Sequence, residues 1–172
     1  MALEEGEIAW FSPDPRGVIP LDAFRIPHGL RKTLKKSPFE IRVNSAFAEV
    51  IAGCADRKET WIDDTVGQSF CQLHGLGYAH SVEAWQDGEL VGGLYGVAIG
   101  SAFFGESMFS RVSGASQAAL VALVARLRRR GFLLLDTQWT NPHLRRFGAV
   151  DIPKADYLRM LRQAIGHANR FQ

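Results

Sequence analysis

Cysteine is scarce in this chain of 172 residues: Cys54 and Cys71 are the only two, and neither belongs to a CxxC pair or a cysteine-histidine cluster. That spacing supports neither a zinc site nor a disulfide framework, so both read as small core residues in a reducing compartment. His28, His74, His80 and His143 also lack metal-ligand spacing, and no metal is expected. Long apolar runs are missing as well. Nothing approaches the ~20 residues that span a bilayer, and the opening MALEEGEIAW has neither the basic nor the apolar part of a signal peptide. A cytoplasmic protein is expected, without a membrane partner. Excess charge of one sign is nearly absent, and a net +2 does not by itself argue for nucleic acid. No Ser-His-Asp arrangement stands out, and Ser107 beside Glu106 is not a nucleophile elbow.

What is present suits one globular domain with a real core, since 47% of residues are hydrophobic and 22% charged. Charge is unevenly placed. Arg25, Arg31, Lys32, Lys35, Lys36 and Arg42 face the single acid Glu40 over that stretch, whereas Glu4, Glu5 and Glu7 make the start acidic.

Periodicity outlines the elements. Trp10 to Gly17 reads as extended or turn-like because two prolines bias their predecessors out of the helical region, and a strand over 17–21 follows. A short basic helix is expected over 28–36 and a half-buried strand over 39–43. Asn44 or Ser45 is expected to cap a helix carrying Phe47, Val50, Ile51 and Cys54, and Asp63, Asp64 or Thr65 the next one, which Gly75 and Gly77 end. Strands over 79–86 and 89–98 flank Asp87-Gly88, a hairpin signal, and a third runs over 101–109. A helix over 116–130 stops at Gly131. A doubly buried strand over 132–138, a short helix from Asn141 and a last helix over 153–168 complete an α/β (α+β) arrangement.

Polar residues interrupt two of the apolar strands: Glu106 in the first, Asp136 and Gln138 in the second. Burying such groups without partners costs about 1 to 3 kcal/mol each, so several together point to a site. The plain alternative for Asp136 is a cap or an ion pair with a nearby arginine.

The element order is similar to the N-acetyltransferase (GNAT) fold, a mixed, largely antiparallel sheet flanked by helices. There, a loop leading into a helix cradles the cofactor pyrophosphate with its amides. The corresponding loop here, Arg111-Val112-Ser113-Gly114-Ala115-Ser116, begins like R-x-x-G-x-G/A but ends in Ser116.

Ordered motifs then cover nearly the whole chain: WFSPDPR at 10–16, TWI at 60–62, LxxLGYAHSVEAW at 73–85, GELVGGLYGVAIG at 88–100, FFGESMFSR at 103–111, LDTQ at 135–138, and HLxxFGAVxIP at 143–153. They resemble the leucyl/phenylalanyl-tRNA protein transferases of bacteria. The resemblance implies a GNAT-like domain over 37–172 preceded by a short N-terminal remnant with the basic segment over 1–36. It implies transfer of leucine or phenylalanine, with leakage to methionine, from aminoacyl-tRNA to the free α-amino group of proteins beginning with Arg or Lys, which marks them for degradation.

The donor is an aminoacyl ester rather than acyl-CoA, so no cofactor is implied, and a monomer is expected. By the same resemblance Asp136 and Gln138 support the attacking amine, and Glu106 receives the amino group or the basic side chain. Leu94, Phe103, Met108, Leu120, Leu123 and Leu135 form the acyl pocket. Trp10 and Trp61 hold the adenine. Arg25, Arg31, Lys32, Lys35 and Lys36 meet tRNA phosphates. Phe70 stands where the family has a tyrosine. Two other readings fit the residues: an N-acyltransferase with a small-molecule or other peptide acceptor, and a tRNA-binding protein without catalysis.

Overall fold

The computed structural model describes residues 11–36 and 39–171. Among the described residues, seven strands and six helices follow one another as β1 (Arg16–Val18), α1 (His28–Lys36), β2 (Glu40–Val43), α2 (Phe47–Ala55), α3 (Asp64–Gly75), β3 (Ala79–Gln86), β4 (Glu89–Ile99), β5 (Ala102–Ser110), α4 (Ala115–Arg129), β6 (Leu134–Gln138), α5 (Pro142–Arg145), β7 (Val150–Ile152) and α6 (Lys154–Ile165). The strands form one sheet in the order β2-β3-β4-β5-β6-β1-β7. Every neighbouring pair is antiparallel except β5 and β6, which α4 joins as a crossover. The expected mixed, largely antiparallel sheet with flanking helices is therefore what the chain forms.

Alternation along the strands separates the two larger of three buried clusters. Val82, Leu94, Phe103 and Leu135 pack against Leu120, Leu123 and Leu127 of α4. Ala79, Leu90 and Tyr95 pack against Phe47, Val50 and Ile51 of α2 and Val66 of α3. Consecutive Leu94 and Tyr95 thus serve opposite cores, as the two-residue period of a strand requires.

Several boundaries differ from the sequence expectation. The first helix after β2 has Ala46 as its N-cap, with no side-chain cap bond from Asn44 or Ser45. Glu83 of β3 does that work across the fold, accepting from the amides of Ser45 (3.0 Å) and Ala46 (3.2 Å) and from the hydroxyls of Ser45 and Ser81. Asn44 takes a left-handed φ of 58° and turns its side chain to His80 and the Ser81 amide. The strand expected over 17–21 lies at Arg16–Val18, and the last helix ends at Ile165 rather than near 168. Phe132 closes the end of α4 instead of starting β6: its amide reaches Leu127 O while Gly131 adopts φ 71°. β7 was not anticipated, because a three-residue strand has too short a pattern to read. The caps Asp63 of α3 and Asn141 of α5 form as expected.

Candidate active site

The sheet opens where β5 and β6 part. Their parallel pairing covers only Ala102 to Phe104 against Leu134 to Asp136; beyond it β5 stays with β4 as far as Ser110, while β6 stays with β1 as far as Gln138. A cavity of about 660 Å³ fills the gap. Glu106, Ser107 and Met108 line it from β5, and Leu135, Thr137 and Gln138 from β6. Leu94 of β4 and Leu120 and Leu123 of α4 give it an apolar floor, and Trp61, Phe70 and Leu73 form another wall.

Behind the β6 edge lies Asp136, fully buried. Its carboxylate accepts from Arg16 Nε (3.0 Å to Oδ1) and Nη2 (2.8 Å to Oδ2), from the Tyr157 hydroxyl (2.6 Å) and from the Gln138 amide (2.8 Å). Burial and this hydrogen bond to Asp136 both push the Tyr157 phenol upward, which keeps it a donor. Gln138 has left the strand conformation with φ 56°, so the link between the two residues runs through its backbone rather than through facing side chains. Asp136 therefore does not border the cavity, whereas Arg16 and Gln138 do.

Glu106 sits in the cavity wall with its carboxyl pushed up to about 7, chiefly by burial and then by the charge of Asp136, with Arg16 pulling the other way. It changes protonation near neutral pH. Tyr95 Oη and Thr137 Oγ1, beside the same cavity, are buried without a hydrogen-bond partner among the described residues. Cys54 is a different case: burial pushes its thiol up to about 12, which makes it an inert core group. His80 is held down to about 4, first by burial, and is neutral at ordinary pH.

Of the residues singled out by sequence, the structure gathers Glu106, Gln138, Trp61, Leu94, Met108, Leu120, Leu123 and Leu135 around one cavity. Phe103 is not among the lining residues; it is wholly buried and stacks on Phe171 at 5.1 Å between centroids. Trp10 lies outside the described residues. Arg25, Arg31, Lys32, Lys35 and Lys36 are exposed, the last four on α1, which Leu30 anchors to the core. Sequence reading passed over Arg16 and Tyr157, which hold Asp136, and Arg57, Trp139 and Phe11, which border the cavity. Trp139 and Phe11 are 51% and 52% exposed, large aromatic surfaces at a site entrance. Arg16 had a signal in its place in the WFSPDPR motif; an arginine in a polar loop, as Arg57 is, has none.

The loop before α4 uses its own amides. Ala115 N donates to Val112 O and Ser116 N to Ser110 Oγ (both 3.1 Å), and Thr33 of α1 is the nearest side chain to Gly114.

The sequence model of the Leucyl/phenylalanyl-tRNA protein transferase family matches residues 18–162. A relative from Akkermansia muciniphila, named leucyl/phenylalanyl-tRNA--protein transferase, is 53% identical over 166 residues, covering 94% of this chain and 86% of that one. Among solved structures, L-PGS from Bacillus licheniformis superposes with a TM-score of 0.50 at 14% identity, over 77% of this chain and 47% of that one; this is a likeness of fold alone. A ribosomal-protein-alanine N-acetyltransferase from Brucella melitensis biovar Abortus gives 0.45 at 18% identity, over 63% and 84% of the two chains. The sequence matches define an aminoacyltransferase. The chain belongs to the leucyl/phenylalanyl-tRNA protein transferase family.

Proposed function

We propose that this protein transfers leucine or phenylalanine, and methionine more slowly, from aminoacyl-tRNA to the free α-amino group of proteins that begin with Arg or Lys, marking them for degradation. The observation that carries the reading is the cavity between β5 and β6: apolar at its floor, carboxylate and amide at its edge, and bordered by Trp61. Leu94, Met108, Leu120, Leu123 and Leu135 receive the acyl side chain, and the flexible thioether of Met108 adapts to a branched or an aromatic group. Trp61 stacks on the terminal adenine, in company with Trp10.

In the reaction the acceptor nitrogen attacks the ester carbonyl. The new amide bond forms as the bond to the 3′ oxygen of the terminal adenosine breaks, and the amine proton passes to that oxygen. Gln138 orients the amine, and Asp136 positions Gln138 through its backbone amide while Arg16 and Tyr157 fix Asp136. Glu106 binds the acceptor's amino group or its basic side chain. The exposed cations of α1 meet acceptor-stem phosphates, giving affinity without sequence reading. The amides of Ala115 and Ser116 are engaged within the chain, which favours an aminoacyl ester over acyl-CoA as the donor.

The test incubates purified protein with Leu-tRNA or Phe-tRNA and peptides beginning with Arg, Lys, Asp or Ala, and follows product mass. Leucine or phenylalanine is expected on the Arg and Lys peptides alone. Binding of charged tRNA with no addition to any peptide would overturn the reading.

A further inference from the structure

Two arginines border the cavity, and their charges are answered differently. Arg16 is paired with buried Asp136. Arg57, in the loop that follows α2, donates from Nε to Cys54 O (2.8 Å) and from Nη2 to Ser107 Oγ (3.0 Å) and Met108 O (3.3 Å). All three acceptors are neutral, and among the described residues no carboxylate lies within ion-pair distance of it. The exposed guanidinium is thus held against β5 and the end of α2 with no ion-pair partner among the described residues, and Nη1 takes part in none of these bonds. A planar guanidinium with spare N–H groups is well matched to a phosphate.

Substrate chemistry selects the anion, given the transfer reaction proposed above. The reactants bring to the cavity an apolar side chain, the donor's own amino group and a basic amino terminus, none of which a fixed cation attracts. Near the ester the donor has one anion, the phosphodiester on the 5′ side of its terminal adenosine. Trp61 lies in the same loop as Arg57, between α2 and α3, and both border the cavity. A nucleotide stacked on Trp61 therefore has Arg57 as a cation of the same loop. We propose that Arg57 anchors this phosphodiester and so sets the depth at which the ester enters between Glu106 and Gln138. Arg57 is a donor-binding residue, distinct from the α1 cations that lie outside the cavity.

The test compares 3′-O-phenylalanyl-adenosine with the same donor carrying a 5′ phosphate, each with an Arg-initiated peptide as acceptor. The wild type is expected to favour the phosphorylated donor on the order of tenfold in kcat/KM, mainly through KM. In Arg57→Ala that preference falls to near one, and Arg57→Lys restores part of it. A loss shared equally by both donors would put Arg57 on the ester oxygen or in the fold, and would overturn the proposal. A wild type indifferent to the phosphate would do the same. Equilibrium dialysis of adenosine and its 5′-monophosphate gives the same ratio without turnover. Failure of transfer from both donors would therefore count against the reaction, while the dialysis ratio still decides the role of Arg57.

Discussion

Arg16 grips Asp136 with two nitrogens across the β1–β6 boundary, Nε at 3.0 Å and Nη2 at 2.8 Å, and the acid so held is fully buried. The pair fastens β6, which carries Asp136, to β1 beside it. Removing the arginine leaves a buried carboxylate with only the Tyr157 hydroxyl and the Gln138 amide. Arg16→Ala is therefore expected to lower unfolding stability by about 3 to 5 kcal/mol, and adding Asp136→Asn to restore part of the loss. Denaturant midpoints at unchanged slope measure both. A loss below about 1 kcal/mol for Arg16→Ala would show that the pair is no more than a surface contact.

Glu106 makes stability depend on pH in a defined direction. Its folded carboxyl is raised from 4.5 to about 7, so the folded state holds its proton more tightly than the unfolded chain does. The stability this contributes is fully present below the unfolded pKa and is lost as pH rises through the folded one. Glu106→Gln removes that dependence. The variant's thermal midpoint is expected to gain on the wild type between pH 5 and pH 8; parallel melting curves across that range would rule out the burial assigned to Glu106.

Glu83 offers a contrast, a buried carboxylate with a structural task. Its oxygens accept from the amides of Ser45 and Ala46 and the Ser45 hydroxyl at the start of α2, and from the Ser81 hydroxyl of its own strand, and it is absent from the cavity wall. Glu83→Ala is expected to cost on the order of 3 kcal/mol by leaving those donors unsatisfied, with kcat of the folded variant kept within about twofold. Urea unfolding together with turnover below the transition separates the two effects. A large fall in kcat with stability intact would move Glu83 into the site.

The same contrast explains what could be read from sequence. Glu106, Asp136 and Gln138 stand out because they interrupt apolar strands, and Glu106 and Gln138 border the cavity; the Asp87-Gly88 hairpin, and Asp63 as one of three candidate caps, are visible because turn and cap chemistry is local. The cap on α2 was not, because the acceptor, Glu83, comes from a strand paired far along the chain and Ser45 only supplies donors to it. Asp136 looked like a residue facing the site from a strand. Its partner Arg16 lies 120 residues away, and the left-handed turn at Gln138 replaces the side-chain alternation on which that expectation rested. The resemblance places Phe103 in the pocket wall, but an apolar strand residue can serve either a core or a cavity, and only packing against Phe171 decides between them.

On the function proposed above, the cations of α1 and Arg57 are expected to make separable contributions to tRNA affinity. Lys32, Lys35 and Lys36 are charged side chains on a nine-residue helix whose buried residue is Leu30, so alanine at all three keeps helix propensity and leaves the anchor in place. Each phosphate contact that is lost lowers the slope of log affinity against log salt by roughly 0.7 to 0.9, the single-strand and B-form duplex values. The triple variant is expected to lose about two to three units of slope on charged tRNA and to retain its preference for a 5′-phosphorylated adenosine. Arg57→Ala is expected to lose less than one unit and to abolish that preference. Filter binding across a salt series measures the slopes, and an unchanged slope in the triple variant would take α1 off the tRNA path.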